Sequence, residues 1–405
     1  MKDRFLLVSP DFPPPLIGGS LVYIKTLVEH SNYPIEVLTT DNLDNDPEVI
    51  GHPHKILRKK LIIGSNEPSN GKLLISYLYM LMWVSIQMLL RRYKLVIANP
   101  GAIGNSLLFL LGKIFRVKVI GIAYAEELTI PLKRNDIKSI IKRSFVKIAY
   151  KRAHGFIVVC HFCKNILKDE LGVDKEKIDV IPSCLTLEKF GSKREKELKN
   201  RNNNITSVGR LIKRKGFHYL IKSVAELRKE IKDVSLKIVG SGPMSELLEK
   251  QIKDLNASSY IHLLNQIDDV TLSNIYSETD LFVLANYQLS NGDTEGCPSV
   301  FSEAMAHGIP IIGGTGAGVD TAIIDGQNGL IVNSENELDL LNAMKEILTN
   351  EAQFKSMSAN AKKKLLRDHH PDAIGKAFNK SIYRFLSNKK ADAAQARFNK
   401  EIPSL

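Results

Sequence analysis

Short apolar runs that do not alternate with polar residues recur along the chain. They lie at residues 4–9, 35–39, 94–99, 117–123 and 155–160 in the first half, and at 205–209, 234–240, 261–264, 280–285, 309–313 and 330–332 in the second. A run that is apolar on both faces reads as a parallel strand covered on both sides. Apolar residues at helical spacing follow several of these runs, as in Leu21, Val22, Ile24, Leu27 and Val28, and again along 336–348 and 372–387. Strands alternating with helices predict an α/β chain of doubly wound sheets. Because 405 residues exceed what one core organises, two domains are expected, joined by the charged, Asn-rich stretch 193–204.

Two helical stretches depart from the ordinary pattern. Residues 73–90 are apolar nearly all round and are flanked by Lys72 and by Arg91-Arg92. A buried helix is the first reading, because a strand of the same sheet follows at once; a helix seated in a membrane face and a membrane span are the alternatives. Residues 136–152 place Ile137, Ile140, Ile141, Phe145 and Ile148 on one side and Lys138, Lys142, Arg143, Lys147 and Lys151 largely on the other. That pattern suits either a core-packed helix with a solvated basic face or a helix lying on anionic lipid.

Charge sharpens the second point. Net charge is +12, and residues 1–190 hold 27 Lys or Arg against 18 Asp or Glu. The basic clusters lack interleaved aromatics, so nucleic acid is not expected as a partner. An anionic membrane surface, a phosphate-bearing acceptor and a plain solvated face all fit the asymmetry. Four cysteines make no disulfide framework and suit a reducing cytoplasm, and the first apolar run is too short for a signal peptide.

Candidate chemistry concentrates in residues 294–308, TEGCPSVFSEAMAHG. Gly296 frees the backbone, Pro298 suits the first position of a helix, and Gly308 with Pro310 ends it. Glu295 then sits at the mouth of the helix and Glu303 more than a turn inside. Free amides at a helix mouth attract an anion such as a diphosphate, and a carboxylate can grip a diol of a ribose or hexose. The combination suggests a nucleotide-sugar site. The loop carrying Gly18-Gly19 after the first strand is compatible with phosphate binding or with a simple tight turn. Asp44-Asn45-Asp46 and Cys160-His161-Phe162-Cys163 have spacings seen in metal sites, but neither is accompanied by a second ligand pair, so no metal is expected.

The run from Glu295 to Pro310, E-G-x-P-x-V-x-x-E-A-M-A-x-G-x-P, resembles the signature of the family-4 retaining glycosyltransferases. Gly209-Arg210-Leu211 to Lys215-Gly216 and Val239 to Pro243 are similar to two further hallmarks of that family. The resemblance implies the GT-B fold, two facing Rossmann-like domains with an interdomain cleft. It implies that Arg210 and Lys215 bind the donor diphosphate, that Glu295 meets the sugar hydroxyls, and that Gly296, Cys297, Pro298 and Ser299 offer donor contacts. It further implies that Glu303 grips the ribose, that Gly18, Gly19, Gly209, Gly240 and Gly242 line the donor pocket, and that no metal is needed. Relatives often carry a histidine where Tyr124 stands here, so Tyr124, Glu126 and Glu127 are candidate contacts to sugar or acceptor. The family's Asn-Gly is also replaced, by Ser183-Cys184.

These observations predict an acceptor-binding domain over 1–190, a linker over 191–204 and a nucleotide-sugar domain over 205–371. A helix over 372–388 crosses back to the first domain, and 389–405 form a loose tail. The expected activity is retaining transfer of a sugar from a UDP- or GDP-sugar, without cofactor, to a glycan or lipid-linked acceptor of the cell envelope. A cytoplasmic location, peripheral on the inner membrane face, goes with it. A GT-B protein that binds nucleotide sugar or a partner without transfer is the alternative, and an isomerase of related fold is a third, for which acid and base groups are missing.

Overall fold

The structure, a computed structural model, describes residues 4–13, 19–40, 54–60, 62, 70–99, 104–125, 128–129, 137–184, 202–265, 267–315 and 318–387. The expectations for Gly18, Asp44 to Asp46, Glu126, Glu127, most of the linker and the tail concern residues outside these.

In the first half the strands are β1 (Phe5–Val8), β2 (Ile35–Thr40), β3 (Lys55–Lys59), β4 (Leu95–Ala98), β5 (Lys118–Ala123), β6 (Gly155–Val158) and β7 (Ile178–Val180). They form one parallel sheet in the order β3-β2-β1-β4-β5-β6-β7. Helices α1 (Gly19–Glu29), α2 (Asn70–Leu89), α3 (Gly104–Phe115) and α4 (Ile137–Arg152) make the crossovers, and the short α5 (His161–Asn165) follows β6. The central strands are fully buried, which is why their sequences run apolar without alternation. Edge strand β3, KILRK, is polar and half-exposed, and β7 has three residues; neither carries the pattern that announces the others.

The second sheet, also parallel, has the order β10-β9-β8-β11-β12-β13. Its strands are β8 (Asn204–Val208), β9 (Ser235–Val239), β10 (Ile261–Leu264), β11 (Leu281–Leu284), β12 (Ile311–Gly314) and β13 (Gly329–Val332). Helices α6 (Phe217–Glu230), α7 (Ser245–Asp254), α8 (Asp269–Glu278), α9 (Ser299–Ala306), α10 (Glu337–Thr349) and α11 (Glu351–Lys364) complete the described part of this half, and α12 (Pro371–Leu386) ends the described chain. Both sheets reverse direction of growth beside their first strand, between β1 and β4 and between β8 and β11. Doubly wound sheets open their ligand crevices at such points, outside the carboxyl ends of the strands.

For two helices the structure shows which side is covered. The 73–90 stretch is a helix, yet only one side of α2 is buried; Leu74, Ile75, Leu78, Met82, Ile86 and Leu89 face outward. In α4 the core contact is made by Val146, Ala149 and Tyr150, while Ile140, Ile141 and Ile148 are exposed beside the basic residues. Among the described residues no helix is long and apolar enough to cross a membrane.

The halves are locked by α12. Asn379 Oδ1 accepts from the amide of Asn32 (2.8 Å), and its Nδ2 donates to the carbonyl of His30 (2.9 Å). The ring of Phe385 lies so close to Gly155 that an added Cβ would sit 2.1 Å from it. Gly155→Ala should therefore cost about 1–3 kcal/mol in urea unfolding, by forcing the ring and its helix outward, and Phe385→Leu should recover part of that loss. Full additivity of the two changes would show that the contact is not the cause.

His369 supplies a second lock. Its Nδ1 donates to the carbonyl of Ser183 (2.8 Å), with Ser302 Oγ at 3.3 Å, and its Nε2 has no hydrogen-bond partner among the described residues. Burial pushes the imidazole down to about 4, because the charged ring would lose its hydration. The unfolded chain then takes up a proton at higher pH than the folded one. Stability should fall as pH drops from the free-histidine value near 6.5 toward 4, by on the order of 2 kcal/mol between pH 7 and 5 from this residue. The gap between denaturation curves at the two pH values should narrow by about that amount for His369→Gln, the remainder belonging to groups such as His154 and His307, which burial also pushes down to about 4; an unchanged gap would assign the acid sensitivity wholly to other groups.

Candidate active site

A cavity of about 560 Å³ lies between the two sheets. The first half lines it with Ser9, Asp11, Gly19, Asn99 and Tyr124, all beyond the carboxyl ends of β1, β4 and β5 or at the start of α1. The second half contributes Arg210, Arg214, Lys215 and the segment Thr294 to Val300. The helix mouth at 298 is confirmed with a small shift: Pro298 is the cap and α9 starts at Ser299.

Two helix amino termini meet across this cavity. An added Cβ on Gly19 would lie 3.0 Å from Ser299 Oγ, so the start of α1 and the start of α9 nearly touch. First-turn amides have no acceptor within their own helix, and each terminus carries a partial positive charge. Arg210, Arg214 and Lys215 add three cations to the second half's wall, Arg214 and Lys215 being paired with carboxylates of the same wall. Such a wall recognises an anion with several oxygens.

Local backbone geometry explains how the cations are presented. Lys213–Lys215 form a single tight turn closed by Gly216 at φ 68°, where an added Cβ would lie 1.8 Å from the carbonyl of Ala285. Only glycine fits that position. The Lys215 side chain then runs back over Gly209, whose missing Cβ leaves it room at 3.3 Å. Gly240 lies under the same turn, with an added Cβ 2.0 Å from the carbonyl of Gly209, and Gly242 abuts Leu211. Gly209, Gly240 and Gly242 thus shape the loops behind the cations and are not among the described residues that line the cavity.

Glu295 is nearly enclosed and held by both neighbours. Arg214 Nε donates to its Oε1 at 2.7 Å, and Lys215 Nζ lies 3.2 Å from Oε2. Burial by itself would raise its carboxyl, but Lys215 and Arg214 outweigh that and hold it below the ordinary glutamate value. It is an ionised carboxylate at neutral pH. Arg214 Nη1 also donates to Asp293 (3.2 Å), tying down the loop that leads into Glu295. Sequence reasoning missed Arg214 because the family pattern marks only the residues four before and one after it. Arg210 is exposed at the rim of the cavity.

Other predicted residues fall into clear places. Gly296 packs against Val159, with a Cβ contact of 3.1 Å. Cys297 lines the cavity, yet burial pushes its thiol up to about 12, and Ser183 Oγ donates to its sulfur at 3.2 Å; it is not a thiolate nucleophile. Glu303 stands off the cavity lining, half-buried, with the Tyr276 hydroxyl donating to it at 2.9 Å and the His307 ring stacked on that tyrosine. Tyr124 reaches the cavity, 3.3 Å from Asn99 Oδ1 and 3.4 Å from the Ser20 carbonyl, so its phenol bridges β4, β5 and α1. Among the described residues no cluster of three His, Cys, Asp or Glu could hold a metal.

Comparison with known proteins bears on this arrangement. The chain matches the model of Glycosyltransferase Family 4 over residues 17–189 and that of Glycosyl transferases group 1 over 189–364. It is 29% identical over 154 residues to a GDP-mannose-dependent alpha-(1-6)-phosphatidylinositol monomannoside mannosyltransferase of Mycolicibacterium smegmatis, spanning 38% of this chain and 40% of that protein. It is 30% identical over 244 residues to the UDP-Gal:alpha-D-GlcNAc-diphosphoundecaprenol alpha-1,3-galactosyltransferase of Escherichia coli, spanning 56% of this chain and 61% of that protein. The match thus covers less than two thirds of either relative's length. Among solved structures, Anabaena HepE in complex with UDP is similar at a TM-score of 0.72 and 17% identity, covering 95% of this chain and 100% of that one, a likeness of fold. The two matching models meet at residue 189 and together run from 17 to 364, and the chain belongs to the family-4 glycosyltransferases of the GT-B fold.

Proposed function

We propose that the protein is a retaining hexosyltransferase that moves a sugar from a nucleoside-diphosphate sugar to a hydroxyl of a lipid-linked or cell-envelope glycan acceptor. The observation that carries this reading is the convergence on one cavity of two helix amino termini, one from each half, with Arg210, Arg214 and Lys215 beside Glu295. As the bond from sugar to diphosphate breaks, negative charge gathers on the leaving phosphate. Fixed cations and helix amides stabilise that charge most at the transition state. No metal or cofactor is called for by this wall.

Lys215 has three N–H donors, so it can hold Glu295 and a phosphate oxygen together. Glu295, kept ionised and fixed, accepts from sugar hydroxyls and sets the donor's pose. The acceptor hydroxyl attacks on the face from which the phosphate leaves, and the departing phosphate takes its proton. No protein nucleophile is then required, in keeping with the protonated Cys297. Glu303, oriented by Tyr276, is assigned to the ribose, and Tyr124 to a hydrogen bond with sugar or acceptor in place of the usual histidine. The lipid acceptors in the names of the Mycolicibacterium and Escherichia relatives support the acceptor class, and the UDP bound by HepE supports the donor class.

The reading is tested by incubating the protein with labelled UDP- and GDP-sugars and a membrane-lipid extract. Label should move into the lipid fraction as nucleotide is released. Release without a labelled product would argue against transfer, and binding without turnover would favour a nucleotide-sugar-binding scaffold. Lys215→Ala should lower kcat by on the order of 10²–10³, the size expected when one fixed donor to a developing charge is removed.

Arg214 is a positioning residue in this scheme. Arg214→Lys keeps a charge but loses the fork that reaches Glu295 and Asp293 together. The Glu295 carboxyl should then rise, and the acid limb of the kcat/KM profile, which reports loss of the ionised form, should move to higher pH. A profile that drops in height without moving would show that Arg214 acts through the fold alone.

A further inference from the structure

We propose that the outer face of helices α2 and α4 is a docking surface for an anionic lipid bilayer. The polarity of α2 is reversed relative to a helix that faces water. Its outward residues Leu74, Ile75, Leu78, Met82, Ile86 and Leu89 are 45–65% exposed, while its polar Ser76 and Gln87 are turned inward at 5% and 7%. At 1.5 Å per residue this stripe belongs to a helix about 30 Å long. Scattered exposed apolar residues need no explanation, but a continuous row of this extent marks a surface that is covered in use.

The row does not stand alone. Helix α3 packs against both α2 and α4, so the three form one layer over the sheet. Ile114 at the end of α3 is 70% exposed, and α4 adds Ile140, Ile141 and Ile148. Charge identifies the partner. None of the three helices contains an Asp or Glu. Exposed Lys147, Lys151 and Arg152 share the outer face of α4, and exposed Arg91 and Arg92 close the end of α2. Apolar residues that enter the acyl boundary, fringed by cations and free of carboxylates, match an anionic membrane surface. A second copy of this chain would bring like charges together on the same face.

The layer also has a direction. Helices that cross over between parallel strands run opposite to them, so the first turns of α2 and α4 lie at the carboxyl ends of the strands, where the cavity opens. A bilayer seated here lies beside the rim of the cleft. The surface is separate from the cleft, so its test is independent of donor, acceptor and turnover.

The test is sedimentation of the full chain with vesicles of phosphatidylcholine, with and without phosphatidylglycerol. The protein should pellet with the anionic vesicles and far less with phosphatidylcholine alone. Replacing Leu74, Leu78, Met82 and Ile86 together by serine should weaken that binding by at least about tenfold with no loss of thermal stability, since these side chains contribute to the bilayer and not to the core. Lys147→Glu with Lys151→Glu and Arg152→Glu should abolish the preference for phosphatidylglycerol. Failure of the unaltered protein to bind vesicles, or binding that survives both sets of changes, would overturn the proposal. So would a dimer in solution that the serine variant converts to monomer without any vesicle binding, which would assign the face to a second copy.

Discussion

Glu295, Lys215 and Arg214 are buried or nearly so, and each makes the others tolerable. A carboxylate withdrawn from water is costly unless cations and hydrogen bonds replace its hydration, and a buried ammonium has the same need. The trio ties the turn after β8 to the loop after β11, and those two segments form the second domain's wall of the cavity. In the proposed reaction an entering diphosphate would meet cations already held at fixed positions by a carboxylate, so little reorganisation would be left for the reaction itself. The same carboxylate is the group assigned above to the sugar hydroxyls, so the proposed role would couple recognition of the two ends of the donor. Gly209 and Gly216 are constraints of this arrangement, since side chains there would displace Lys215 or the backbone of Ala285.

The cavity also depends on how the halves meet. Beside it, an added Cβ on Gly318 would lie 2.3 Å from Cys160 Sγ, and the amide of His161 donates to Thr321 Oγ1 at 3.0 Å. Behind it, neutral His369 joins the carbonyl of Ser183 to Ser302 on α9. These contacts use groups without charge, so they hold the halves together while the cations remain directed into the cavity. The CxxC pair sits within this contact, with its two sulfurs 3.1 Å apart and both cysteines buried. The pair packs within a turn at the domain boundary.

Much of the fold was legible because parallel strands covered on both faces leave unbroken apolar runs, as in FLLV of β1 and LFVL of β11. Edge strand β3 was not legible, since a strand with one free edge and half-exposed faces carries Lys and Arg as a loop would. In the site, Glu295 and Lys215 could be found because glycines and proline punctuate their loops in a recognisable way. Arg214 could not, because its part depends on a distance to Asp293 and Glu295 across some eighty residues of chain, and the neighbouring Lys213 looks the same in one dimension. Tyr276 and His369 were missed for a related reason: a buried polar side chain, whether within α8 or in the wide turn between α11 and α12, gives no periodic signal, and only its partners reveal it.

The helices of the first domain show where periodicity stops being informative. It reports which residues share a side, and it cannot say which side faces the core. For α4 the apolar Ile140, Ile141 and Ile148 group together as expected, yet they face outward, because the space against the sheet is filled by Val146, Ala149 and Tyr150. For α2 there is no polar side at all, and the sheet decides which half of an apolar helix is covered. The outcome in both cases is an apolar surface that folding leaves uncovered. Natural chains seldom leave such a surface on a helix with Ser76 and Gln87 available to face water. That those two residues point inward, at some cost in desolvation, indicates that the outward composition of α2 answers to a partner and not to the fold.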